Sequence, residues 1–255
     1  MLAWGQNLDG QLGIGLPNDR DIPVPSSLPA GVTTTQVAAG SSHSLALTDT
    51  GQVLAWGNNF AGQLGTGNFS PSTVPVYVML PEDTVVTSIA AGSFHSLAVT
   101  DTGQVLAWGF NGQGQLGNGT NVPRSNLPVD VLLDPGVVVT GIAAGDSHSL
   151  AVTATGEALA WGANGFGQLG DGTNDPSNVP VDVLLPPGVV VTGLAGGFAH
   201  SLAVTATGEA LAWASTKPGN SATRPTRTAI PPSWWIPIRA SSSPRWRPVR
   251  HTAWR

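Results

Sequence analysis

Apolar residues run through this chain in short blocks closed by Gly, Pro, Asp or Asn. Residues 95–100 and 104–109 are two such blocks, split by Asp101-Thr102-Gly103, which is hairpin chemistry. Residues 129–133 and 137–142 are two more, split by Asp134-Pro135-Gly136. The blocks are rich in β-branched residues, and 33 Gly and 21 Pro interrupt the 3.6-residue stripe that a helix needs. The pattern predicts strands and gives helix little support.

The strand pattern repeats. The tryptophans of Leu-Ala-Trp are Trp4, Trp56, Trp108, Trp161 and Trp213, spaced 52, 52, 53 and 52 residues apart. The histidines of His-Ser-Leu-Ala are His43, His95, His148 and His200, spaced 52, 53 and 52 apart. Two independent landmarks with one period establish a tandem repeat. Each unit of about 52 residues holds four strand-length blocks, which suits one four-stranded blade of a β-propeller. The chain therefore reads as all-β, a partial propeller of about four to five blades.

The segments Ala-Ala-Gly-x-x-His-Ser-Leu-Ala and Trp-Gly-x-Asn-x-x-Gly-Gln-Leu-Gly resemble those of the regulator of chromosome condensation repeat family, and the resemblance covers residues 1–213. It implies a ring of seven blades. Seven units of 52 need 364 residues, more than the 255 present, and Met1 aligns with Val53, Val105 and Ala158 inside a unit. The chain is thus expected to be incomplete at both ends, with Met1 as an internal start. Family members include guanine-nucleotide exchange factors for a small GTPase, and many others that serve as interaction or regulatory modules.

Composition narrows the classes. Cysteine is absent, which excludes disulfides and thiolate metal sites. No apolar stretch is long enough for a membrane span, and Met1-Leu2-Ala3-Trp4 starts no signal peptide, so a cytoplasmic, membrane-free protein is expected. Residues 1–213 carry Arg20 and Arg124 against all 15 acidic residues, a net charge of −13. Such a surface repels phosphate backbones, so no nucleic-acid partner is expected for it.

Residues 214–255 are different, with eight Lys and Arg, no acid and many Pro and Trp. Taken literally they form a basic arm for nucleic acid or an anionic membrane. The genetic code offers another reading. If the last base of each codon is joined to the first two of the next, starting at Trp213, the codons permit Gly-x-Asn-x-x-Gly-Gln-Leu-Gly-Asp. Further on they permit Val-Val-Val-Asp, then Ala-Ala-Gly-x-x-His-Ser-Leu-Ala, whose histidine falls 52 residues after His200. We therefore expect 214–255 to be a shifted reading of a fifth blade, disordered and without function of its own.

Candidate chemistry has plain structural readings. Because His43, His95, His148 and His200 occupy one repeat position, they are expected a blade apart, buried, and bonded to neighbouring backbone rather than gathered on a metal. Ser44, Ser96, Ser149 and Ser201 follow them directly, and adjacent strand side chains face opposite ways, which makes poor nucleophile–base pairs. Trp4, Trp56, Trp108, Trp161 and Trp213 are expected to pack between blades. Gly112-x-Gly114-x-x-Gly117 and Gly165-x-Gly167-x-x-Gly170 match a dinucleotide fingerprint, but they lead into Pro-containing loops rather than a helix. With Gly65 they read as tight turns. No symmetry-breaking polar cluster is visible at the axis.

These readings converge on a non-enzymatic protein-interaction scaffold with no catalytic residue, cofactor or metal. Its unidentified protein partner, basic or mixed in charge, is expected on variable segments near 17–35, 68–87, 120–139 and 173–191. Nucleotide exchange on a small GTPase is the alternative. Self-association through open blade edges is expected as well.

Overall fold

The computed structural model describes residues 1–214. Everything expected of the basic segment lies outside these residues, apart from Ala214.

Three four-stranded antiparallel meanders follow one another. The first comprises β3 (Thr34–Ala39), β4 (His43–Thr48), β5 (Val53–Gly57) and β6 (Ser72–Tyr77). The second comprises β7 (Val86–Ala91), β8 (His95–Thr100), β9 (Val105–Phe110) and β10 (Arg124–Asp130). The third comprises β11 (Val139–Ala144), β12 (His148–Thr153), β13 (Ala158–Gly162) and β14 (Ser177–Asp182). A two-stranded sheet precedes them, β1 (Leu2–Gly5) with β2 (Arg20–Pro25), and a three-stranded one follows, β15 (Val191–Gly196), β16 (Ser201–Thr205) and β17 (Ala210–Trp213).

The innermost strands β3, β7, β11 and β15 lie side by side, as strands around a propeller axis do. The architecture is an open, incomplete β-propeller. One boundary differs from the sequence reading. Residues 129–133 and 137–142 are not two strands meeting at Asp134-Pro135-Gly136. The outer strand β10 starts earlier, at Arg124, and bulges between Ser125 and Val129, and residues 131–138 cross to the next sheet. Apolar side chains continue beyond the strand because Val131 is buried in the crossing connection.

The core lies between sheets. Leu45, Leu47 and Val53 of the first meander pack with Ile89, Leu106 and Trp108 of the second. Leu97, Val99 and Val105 repeat this against Ala151 and Trp161, and Leu150, Val152 and Leu169 do so against Ala203 and Leu211. Packing on both sides explains why β8 and β12 are buried at every residue and lack polar alternation.

Register separates two ends of every sheet. His43 pairs with Gly57, so the β3–β4 turn and the β5–β6 connection open on one face of the propeller. Leu54 pairs with Tyr77, so the β4–β5 turn and the crossing to β7 open on the other. We call these the upper and lower faces.

Candidate interaction surfaces

The repeated residues first build the joints. In each joint one backbone carbonyl accepts two hydrogen bonds from the next sheet. Gln63 O accepts from Ser96 Oγ at 2.9 Å and from Trp108 Nε1 at 2.8 Å. Gln11 does the same for Ser44 and Trp56, Gln115 for Ser149 and Trp161, and Gln168 for Ser201 and Trp213. Trp56, Trp108 and Trp161 are buried, whereas Trp4 is 62% exposed. The preceding repeat builds the pocket for each indole, and no repeat precedes Trp4 among the described residues.

The histidines stand in the same joints. His43 Nε2 lies 3.0 Å from Ser96 Oγ, His95 Nε2 3.0 Å from Ser149 Oγ, and His148 Nε2 3.0 Å from Ser201 Oγ. Their partner is thus a serine of the next sheet, not the neighbouring backbone the sequence suggested. Each serine already donates its proton to a glutamine carbonyl, so the imidazole must donate and carries its proton on Nε2. Nδ1 of all three is buried with no hydrogen-bond partner. Desolvation pushes His43 and His148 down to about 4 and His95 to about 3, with His148 and His43 adding repulsion at His95. A buried, neutral, donating imidazole is no base for the serine it touches. His200 differs: it is exposed, with no further sheet described beyond it.

Gly65, Gly117 and Gly170 have φ of +64°, +64° and +68°. A Cβ on them would fall 2.7–3.0 Å from the indole nitrogen of Trp108, Trp161 or Trp213. They close the socket for the next sheet's tryptophan. Gly114 and Gly167 close the preceding turn by donating to Asn111 O and Asn164 O, so both apparent fingerprints are turns and sockets.

Two buried residue types escaped the sequence reading. Asn59 Nδ2 donates to Asn68 O and Ser70 O while its Oδ1 accepts from Leu64 N. Asn7, Asn111 and Asn164 do the same one repeat apart. Gln63 Oε1 accepts from Ala61 N in the same loop. Their signal was present, because Asn and Gln recur in every Trp-Gly-x-Asn-x-x-Gly-Gln-Leu-Gly segment.

With this chemistry committed to the joints, the two faces carry what is left. Among the described residues, the lower face and its strand ends hold Asp49, Glu82, Asp83, Asp101, Asp130, Asp134, Glu157, Asp182 and Glu209, all exposed, and no basic residue. The upper face holds the two arginines of the described residues, the other acids and every phenylalanine of the chain: Phe60, Phe69, Phe94, Phe110, Phe166 and Phe198. Four of these rings are exposed, Phe198 at 75%. The upper face also has a polar cluster that the sequence did not reveal. Ser41 donates to Ser93, Ser93 to Asp146 Oδ1, and Ser147 to Asp146 Oδ2. Among the described residues, no three His, Asp or Glu side chains are grouped to hold a metal.

Known proteins share this frame. The sequence profile of the RCC1-like domain matches residues 1–244. The ultraviolet-B receptor UVR8 of Arabidopsis thaliana is 33% identical over 85% of this chain and 49% of its own length. The chain therefore spans about half of that relative. The structure of human WBSCR16 superposes with a TM-score of 0.74 at 27% identity, over 84% of this chain and 56% of that one. That of Prp20p from Saccharomyces cerevisiae, described with its binding to Gsp1p and histones, gives 0.68 at 26% identity, over 79% and 50%.

Proposed function

The chain belongs to the RCC1-like domain family, whose propellers are binding and regulatory domains, and from that premise we propose that it is a non-enzymatic scaffold for a basic protein partner. The observation that carries this reading is the lower face. Nine exposed carboxylates stand there, and no basic residue among the described residues, on strand ends, turns and crossings held by a rigid repeated frame. Variable loops on a fixed frame are where binding properties reside. A one-signed surface also speeds encounter with an oppositely charged partner, and does so less at high salt.

Affinity capture with the wild-type chain and with D101N/D134N/E157Q tests this. A partner that the variant loses, and that dissociates faster as salt rises, supports the scaffold. A partner retained by the variant and indifferent to salt removes it.

Nucleotide exchange on a small GTPase is the second reading, favoured by the likeness to Prp20p. Release of a fluorescent guanine nucleotide from candidate GTPases decides it. Acceleration by catalytic amounts of the chain would replace the scaffold as the primary activity. Self-association through sheet edges is also proposed. A monomer at all concentrations in sedimentation velocity would exclude it.

A further inference from the structure

We propose that the upper face is a second docking surface, which takes a protein segment carrying one arginine or lysine flanked by apolar side chains. The inference extends the scaffold reading to a separate face with separate chemistry.

Phenylalanine is ordinarily a core residue, and one exposed ring needs no explanation. Here none of the six is fully buried, and all six lie on a single face, while Trp, Leu, Val and Ala build the core. Three of the rings gather at one joint. At the joint between the first and second meanders, Phe60 and Phe94 meet edge to face, with centroids 5.1 Å apart. Arg124 fastens Phe69 to them: its guanidinium lies 4.2 Å from the Phe69 ring centre and donates to Phe60 O at 2.7 Å. Phe166 and Phe198 occupy the corresponding joint two sheets further on.

Asp146 stands on the turn between these joints, where its carbonyl accepts from Ser93 N and its amide donates to Gly197 O. Four equivalent turn positions carry Ser41, Ser93, Asp146 and Phe198. The repeat symmetry breaks here, although the neighbouring glycine and histidine recur in all four turns. Both Asp146 oxygens accept from neutral hydroxyls, which orient the carboxylate without cancelling its charge. The two arginines of the described residues donate to backbone carbonyls elsewhere. Among the described residues, the face thus presents exposed aromatic rings and a fixed carboxylate that no basic side chain neutralises. Aromatic side chains, Phe among them, are enriched at the cores of protein interfaces relative to the rest of the surface. Charge complementarity selects a cationic centre for the segment that covers them.

Phage-displayed random dodecapeptides, selected on the full chain with F60S/F198S as counter-target, test the inference. The expected winners carry Arg or Lys between Leu, Ile, Phe or Met. Their affinity, read by fluorescence anisotropy, should fall at least tenfold in F60S/F198S and stay within twofold in D101N/D134N/E157Q. D146N should equalise each winner with its Gln-centred analogue. Unchanged denaturation midpoints show that the variants are folded. No enrichment, winners rich in Asp or Glu, or winners that bind F60S/F198S equally well would overturn the proposal. So would a wild-type dimer that F60S/F198S makes monomeric, because a second copy would then cover the face. If selection fails while the lower-face variant still loses its captured partner, the scaffold reading stands and this inference falls.

Discussion

The indole of Trp108 closes over Gly65 of the preceding sheet, with no room for a side chain between them. A Cβ on Gly65 would lie 3.0 Å from Trp108 Nε1 and 2.9 Å from Val78 Cγ1, at a φ of +64°. Gly65→Ala therefore combines left-handed strain with overpacking, at a cost of about 2–4 kcal/mol. Truncating the other partner, Trp108→Ala, empties a fully buried site and should cost about 3–5 kcal/mol. Denaturant titrations of G65A, W108A and the double variant check this. The double variant should be less destabilised than the sum of the singles, because the clash disappears with the indole.

The joint also predicts the behaviour of Ser149. Its hydroxyl accepts from His95 and donates to Gln115 O at 2.8 Å. Ser149→Ala leaves the Nε2 proton of a buried imidazole without an acceptor, at a cost of about 1–3 kcal/mol. Gln115 O keeps the bond from Trp161. Adding His95→Leu removes the orphaned donor, so S149A/H95L should lie well below the sum of the two singles in a double-mutant cycle. Strict additivity would mean that the pair is not coupled.

Asn59 holds its loop from within. Its side chain makes three backbone hydrogen bonds while fully buried, at Leu64, Asn68 and Ser70. Asn59→Ala leaves these groups unsatisfied and should cost about 2–4 kcal/mol. Asn59→Asp keeps the acceptor for Leu64 N but loses both donors. Hydrogen exchange at the Leu64 amide separates the two variants, with protection falling much further in N59A.

The blades were legible because they are periodic. Two landmarks 52 residues apart, Trp56 to Trp108 and His43 to His95, set the repeat, and Asp101-Thr102-Gly103 marked a hairpin turn. The outer strand was harder, because bulged β10 has few apolar positions in alternation. The partners of the histidines could not be read at all, since His43 and Ser96 meet only when two sheets stack. The strand rule that separates His95 from Ser96 holds within a sheet and says nothing across the joint. Trp4 shows the same dependence: a repeat position predicts burial only where the neighbouring sheet supplies the socket. The upper-face cluster was hidden because Ser41, Ser93 and Asp146 share a turn position but lie 52 or 53 residues apart, and they meet only when the sheets stack.

The histidine joints should make the propeller acid-labile. In the unfolded chain each imidazole takes a proton below about pH 6.5. In the folded chain His43 and His148 resist until about 4 and His95 until about 3, chiefly because burial penalises the cation. The unfolded state therefore binds more protons in this window, and stability rises with pH across it. The contribution is complete above about pH 6.5 and is lost steadily as the pH falls toward 4, at about 3 kcal/mol for each histidine. Protonation would also bring three cations into one row of joints and leave each Nδ1 proton without an acceptor. Denaturant midpoints measured from pH 8 to pH 4 should fall on the acid side. The slope should be shallower in His95→Gln, an uncharged variant that still carries a donor toward Ser149. An equal slope in that variant would assign the acid sensitivity to the carboxylates rather than to the joints.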